Sequence, residues 1–172
     1  MNTSIYVYST IKSPIKAAHG MGAYLLAWKK PDGTDGTRAR LFEMETTASM
    51  AEVQLIAAAV KELEAYHVIY EADVYLRNNH AKQALTLYLP EWYRRGWKNA
   101  KDEPVSDWYK ELFRSAIGST LRFTQERGEF TSWLEMSVEK VKEKGEKACL
   151  LTLENIQSKR LRSGSSESTR RT

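Results

Sequence analysis

Between Glu91 and Trp108 the chain reads Glu-Trp-Tyr-Arg-Arg-Gly-Trp-Lys-Asn-Ala-Lys-Asp-Glu-Pro-Val-Ser-Asp-Trp, and three of its five tryptophans lie there. From Arg94 to Lys101 the only charges are positive, and Trp92 and Trp97 bracket Arg94 and Arg95. Cations that neutralise phosphates, interleaved with rings that stack, are suited to holding a nucleic-acid backbone. A second reading stays open on spacing alone. Tyr88, Trp92 and Trp97 pack on a core, while the arginines and lysines solvate the outside of a helix. The lone cysteine, Cys149, excludes an internal disulfide and a cysteine-clustered metal site. The formal charge of +4 leans towards a polyanionic partner.

The elements that must position this stretch can be read from periodicity. Ile5–Tyr8 and Gly22–Trp28 are aromatic and β-branched strands, and Ser13-Pro14 and His19-Gly20 mark a loop between them. Two Asp-Gly steps, at Asp32 and Asp35, predict a hairpin to a third strand from Arg38 to Met44. From Ser49 the apolar period becomes helical through Val53, Ile56, Val60 and Leu63, ending near His67, with Ser49 and Glu52 at capping-box spacing. Val68–Tyr70 reads as a short buried strand, and Leu76–Leu89 as a helix that Pro90 interrupts. A helix over Tyr109–Ile117, a strand over Thr120–Phe123 and a long helix over Ser132–Ile156 follow. The expected fold is α/β, a mixed five-stranded sheet flanked by helices, in one domain over 1–156. Residues 157–172 are too polar to pack and are expected to be a disordered basic tail. The N-terminus lacks the layout of a signal peptide and no apolar run reaches membrane-spanning length, so a reducing, cytoplasmic setting is expected.

Tyr-Leu-Pro-Glu-Trp-Tyr-Arg-Arg-Gly-Trp-Lys-Asn-Ala at 88–100, followed by Pro104-Val105 and Trp108, resembles the basic handle of type 1 ribonuclease H. The resemblance runs from about Ile5 to Lys144. It implies a ribonuclease H-like sheet domain with a handle at about 88–108, in which Trp92, Arg94, Arg95, Trp97, Lys98 and Lys101 hold nucleic acid. It also implies a partner, an RNA/DNA hybrid or a similar A-form-like duplex. The segment from Asp73 to Trp92 is longer than in the family, and the piece between Val105 and Trp108 is shorter.

Catalysis in that family rests on acidic side chains that hold two divalent ions, magnesium or manganese. Its pattern places an Asp at the end of strand one, a Glu in the first turn of the first helix, an Asp after strand four and an Asp in the last helix, with a mobile His in a loop. Carried over from Gly20-Met21-Gly22-Ala23, the first Asp falls on Ser9. Carried over from Thr46-Thr47, the Glu falls on Glu52; from Val68–Tyr70, the second Asp falls on Asp73. Arg127-Gly128-Glu129 puts Glu129 at the His position, and the last Asp lands on Glu139. The implied remnant set is Glu52, Asp73 and Glu139, with Glu52 and Asp73 as the metal ligands. Each also has a structural reading. Glu52 suits a capping box, Asp73 an N-cap, and Glu139 a solvated face shared with Glu135 and Glu143.

A serine at the strand-one position supplies no charge to hold two dications together. The resemblance therefore implies a catalytically impaired protein that still binds hybrid through its handle. Two alternatives stand beside it. One is an active metal-dependent hybrid endonuclease in which Glu43, Glu45 or Glu71 replaces the missing acid. The other is an interaction subunit of a replication or mobile-element complex.

Overall fold

The computed structural model describes residues 2–66 and 70–144. Strands β1 (Asn2–Ser9), β2 (Ala18–Lys29) and β3 (Asp35–Thr46) form an antiparallel meander. Helix α1 (Ala48–Glu64) then returns the chain to β4 (Glu71–Tyr75), which pairs parallel with β1. A helical run follows: α2 (Asn79–Gln83), a π-helical turn (Ala84–Tyr88) and α3 (Leu89–Arg94). Helix α4 (Asp107–Ser115), strand β5 (Thr120–Thr124), parallel to β4, and helix α5 (Thr131–Lys144) complete the fold. The sheet order is β3-β2-β1-β4-β5, the mixed five-stranded sheet expected.

Strand alternation divides the core in two. Ile5 and Val7 of β1 and Ala72 and Val74 of β4 face Val53, Ile56 and Val60 of α1, with Tyr109 and Leu112 of α4 in the same cluster. Tyr6 of β1 and Ala23, Leu25 and Ala27 of β2 face Leu134, Val138 and Val141 of α5. Side chains one position apart on a strand point to opposite faces, so the sheet serves two helical layers at once. The β2–β3 turn is made by the first Asp-Gly step. Gly33, at φ +87°, provides the left-handed residue, and Asp32 accepts from the Thr34 N–H at 2.9 Å. The second step opens β3, where Gly36 lies beneath the Trp28 ring with no room for a Cβ.

Several boundaries differ from the expectation for local reasons. His19-Gly20 belongs to β2, not to a loop, because β2 keeps its pairing with β3 back to Ala18. Helix α1 is capped by Thr47, whose hydroxyl accepts from the Met50 N–H, so Ser49 and Glu52 form no capping box. The fourth strand lies further on than predicted, at Glu71–Tyr75; Tyr70 precedes it, and 68 and 69 lie outside the described residues. Pro90 does not break the helical run. Just before it, the Leu89 N–H reaches back to the Ala84 carbonyl, and this wider turn accommodates a residue without a donor. Helix α4 starts two residues before Tyr109 because Ser106 accepts from the Trp108 N–H. The C-terminal part of the predicted last helix and the tail over 157–172 lie outside the described residues.

Ile56 is fully buried between α1 and the sheet. Ile56→Ala is expected to lower the unfolding free energy by about 2–5 kcal/mol, measured as a reduced midpoint in urea.

Candidate active-site edge and basic aromatic segment

Because β1 and β4 are parallel neighbours, their C-terminal ends lie side by side. The residues that leave those ends make the candidate site. Glu52 is buried on α1, and its Oε1 accepts the backbone N–H groups of Arg77 (3.1 Å) and Asn78 (2.9 Å). Asn78 in turn caps α2 by accepting from the Ala81 N–H at 2.9 Å. Glu52 thus fastens the β4–α2 turn to α1. Burial pushes its carboxyl above the ordinary range, against the two N–H bonds and the Arg77 charge.

Beyond β4 the Arg77 guanidinium pairs with Glu135 of α5. Arg127, from the β5–α5 loop, donates to the same carboxylate, Nη2 to Oε1 at 2.9 Å and Nη1 to Oε2 at 3.3 Å. Its Nη2 also reaches Ser132 Oγ at 2.8 Å. Gln125 holds the Arg77 carbonyl at 3.1 Å. On the β1 side stands Tyr8. Its hydroxyl is raised above its usual pKa by burial first, then by Glu139 and Glu135, with Arg77 opposing. Next to it the loop at Gly128 is pressed onto the stacked rings of Tyr6 and Tyr75, whose centroids are 4.5 Å apart.

The structure brings only part of the predicted set to this edge. Glu52 is there, and Glu139 sits beside Tyr8. Asp73 is not between a strand and a helix but inside β4, opposite Ser4 of β1 and Arg122 of β5. Its Oδ1 accepts from Arg122 Nε at 2.7 Å. Ser9 ends β1, and its hydroxyl accepts from the Ile11 N–H at 3.0 Å, shaping the turn that follows. Glu129 is exposed in the loop before α5. The proposed substitutes do not reach the edge. Glu43 and Glu45 are on β3, which β2 separates from β1, and Glu71 begins β4 at its opposite end. Among the described residues no three His, Cys, Asp or Glu side chains are grouped so as to hold a metal ion. Sequence reasoning missed Tyr8, Arg77, Arg127 and Glu135. The cue for Arg77 was Asn78, an N-cap whose position marks where β4 must already have ended.

In the 91–108 segment Trp92 and Trp97 are packed, Tyr93 and Trp108 stay partly exposed, and Arg95, Lys98 and Lys101 face outward. Trp92 and Trp97 are half-buried against the α1-side core. Trp92 lies on Tyr109 at 4.9 Å between centroids, and Tyr93 stacks on Phe113 at 4.5 Å. Helix α3 stops at Gly96, φ +70°, where the Gly96 N–H reaches the Tyr93 carbonyl (3.2 Å) and the Trp97 N–H the Trp92 carbonyl (2.6 Å). That is a Schellman ending, and it folds Trp97 back over the helix. The loop beyond is fixed by Asn99, whose Oδ1 accepts from the Lys101 and Glu103 N–H groups at 2.9 and 3.0 Å. Arg94 pairs with Glu91, whereas Arg95, Lys98 and Lys101 are exposed and make none of the ion pairs found among the described residues. The base-stacking role expected of Trp92 and Trp97 therefore competes with their packing on α4.

No protein-family model matches the chain. It is 34% identical over 73 residues to ribonuclease H of Legionella pneumophila strain Corby, covering 42% of this chain and 48% of that protein. It is 31% identical over 65 residues to ribonuclease H of Ehrlichia chaffeensis, covering 38% and 42% respectively. The matched region thus spans about half the length of these curated relatives. Among solved structures, LC9-RNase H1, a type 1 RNase H with the type 2 active-site motif, superposes with a TM-score of 0.62 at 12% identity, over 81% of this chain and 71% of that one. The chain has a ribonuclease H-like fold. The foamy viral protease-reverse transcriptase in complex with RNA/DNA hybrid shares the fold, with a TM-score of 0.53 at 16% identity over 72% of this chain and 17% of that one.

Against the ribonuclease H pattern given above, the end of strand one here carries Tyr8 and Ser9, and the first helix carries Glu52. The residues just after β4 are Leu76 and Arg77, and the residue of α5 that faces them is Glu135. After β4, where that pattern has an acid, this chain carries Arg77.

Two outcomes are expected. A carboxyl whose folded pKa is raised contributes stability that is fully present below its unfolded value and is lost as pH rises through the folded one. Urea titrations of Glu52→Gln, which keeps an acceptor for the two N–H groups, should therefore show a flatter stability profile above the ordinary carboxyl range than the parent. Gly96→Ala, forced to hold a left-handed φ, should cost about 1 kcal/mol of stability in the same assay.

Proposed function

We propose that this ribonuclease H relative binds RNA/DNA hybrid, or a similar A-form-like duplex, and is impaired in cutting it. The observation that carries the reading is the Arg77–Glu135 ion pair beyond β4. A guanidinium fixed there repels the dications that hybrid cleavage needs, and it engages the Glu135 carboxylate at the same edge. The remaining donors fit magnesium or manganese poorly. Glu52 Oε1 already accepts two N–H bonds, its carboxyl is biased towards the neutral form, and Asp73 is engaged by Arg122. The binding half of the proposal is supported by the exposed Arg95, Lys98 and Lys101 and by the fold shared with a reverse transcriptase seen on RNA/DNA hybrid. Three phosphate contacts imply a slope of log K against log salt of about −2 to −3. No helix among the described residues is long and apolar enough to cross a membrane. A cytoplasmic setting goes with this reading.

The test is incubation of the protein with an end-labelled hybrid in magnesium and then manganese, beside gel retardation of the same hybrid at low salt. Retardation without cleavage of the RNA strand is expected. Cleavage that Glu135→Gln abolishes would make the protein a working nuclease, and absence of retardation at low salt would remove the binding function.

A further inference from the structure

Arg77 and Arg127 come from different elements, the end of β4 and the β5–α5 loop, yet both close on one carboxylate. Their side chains are 46% and 48% exposed, while Glu135 between them is 21% exposed. The group of Arg77, Arg127 and Glu135 holds two positive charges against one negative, with Glu139 near Tyr8 beside it. Two planar guanidinium forks converging on a single oxyanion form a site for oxyanions in general, here filled by an anion of the chain itself.

We propose that Arg77 and Arg127 form a binding site for a backbone phosphodiester of the bound duplex, with Glu135 as the internal anion that the phosphate joins or displaces. The inference rests on the duplex-binding reading and adds to it a contact that needs no divalent ion. It differs from the 91–108 segment in that its cations are preorganised by a carboxylate instead of extending freely into solvent. Ser132 and Glu135 hold the Arg127 fork, Glu135 holds the Arg77 fork, and Gln125 fixes the Arg77 backbone, so both forks are oriented before any ligand arrives. Glu126 lines the same crevice as Arg77 and Glu135 and cancels the remaining positive charge, so the site depends on the geometry of the two forks and its contribution is modest.

The site makes a prediction of opposite signs. With a fluorescently labelled RNA/DNA hybrid and anisotropy as readout, Arg77→Gln and Arg127→Gln should each weaken binding severalfold and reduce the salt slope by about 0.7–0.9. Glu135→Gln should tighten binding severalfold, because it releases both guanidiniums. Parent binding should be the same in EDTA and in magnesium at matched ionic strength. Thermal unfolding by circular dichroism identifies variants that have lost the fold, and Arg127, on the exposed loop, tests the site if Arg77→Gln unfolds. Weaker binding in all three variants would make the network a structural brace. Parent-like binding in the arginine variants, or dependence on magnesium, would overturn the site and leave the duplex-binding reading standing. A parent that binds no hybrid would remove both.

Discussion

The parallel pairing of β1 with β4 is the constraint on which everything else depends. β1 is the central strand, paired on one side with β2 and on the other with β4, and covered by α1 on one face and α5 on the other. A strand in that position has no solvent side, so its odd and even residues must both be satisfied. Ile5 and Val7 meet α1; Tyr6 and Tyr8 meet α5. The parallel register also brings the two C-terminal ends together, so that whatever follows them shares one edge. The antiparallel meander could form without β4, but the edge could not.

At that edge the chain has solved a charge problem with its own side chains. Glu52 is buried and would be costly as a free anion, and it is offset by two backbone donors that it also positions. Glu135 is held by two arginines. The same residues that complete the packing therefore decide the electrostatics. Two arginines closing on one glutamate disfavour a dication, whereas a cluster of carboxylates favours one. The distinction depends on Arg77 after β4 together with Arg127 before α5.

The aromatic segment shows a division of labour between rings and cations. Gly96 ends α3 and turns Trp97 back, so the rings of Trp92, Tyr93 and Trp97 join Tyr109 and Phe113 in anchoring the segment to α4. Arg95, Lys98 and Lys101 are left on the outside, on a loop whose shape Asn99 sets. Both readings weighed for the sequence are thus partly realised, the rings as packing and the cations as exposed charge.

The sequence by itself determined the order of elements, the meander, the helical period of α1 and the mixed sheet, because these follow from local periodicity and turn chemistry. It also singled out Glu52, though for the wrong structural partner, since a capping box and a long-range staple draw on the same carboxylate. What only the tertiary structure decided was the register of β4. Placing that strand a few residues early made Asp73 look like the residue after it, when in the fold Asp73 lies mid-strand beside Arg122. Strand ends are weakly marked in local sequence, because long-range pairing sets them: β4 leaves β1 at Tyr75, opposite Tyr6, although β1 runs on to Ser9. The convergence of Arg77 and Arg127 on Glu135 spans 58 residues between Arg77 and its partner, a separation at which nothing local records that the side chains meet.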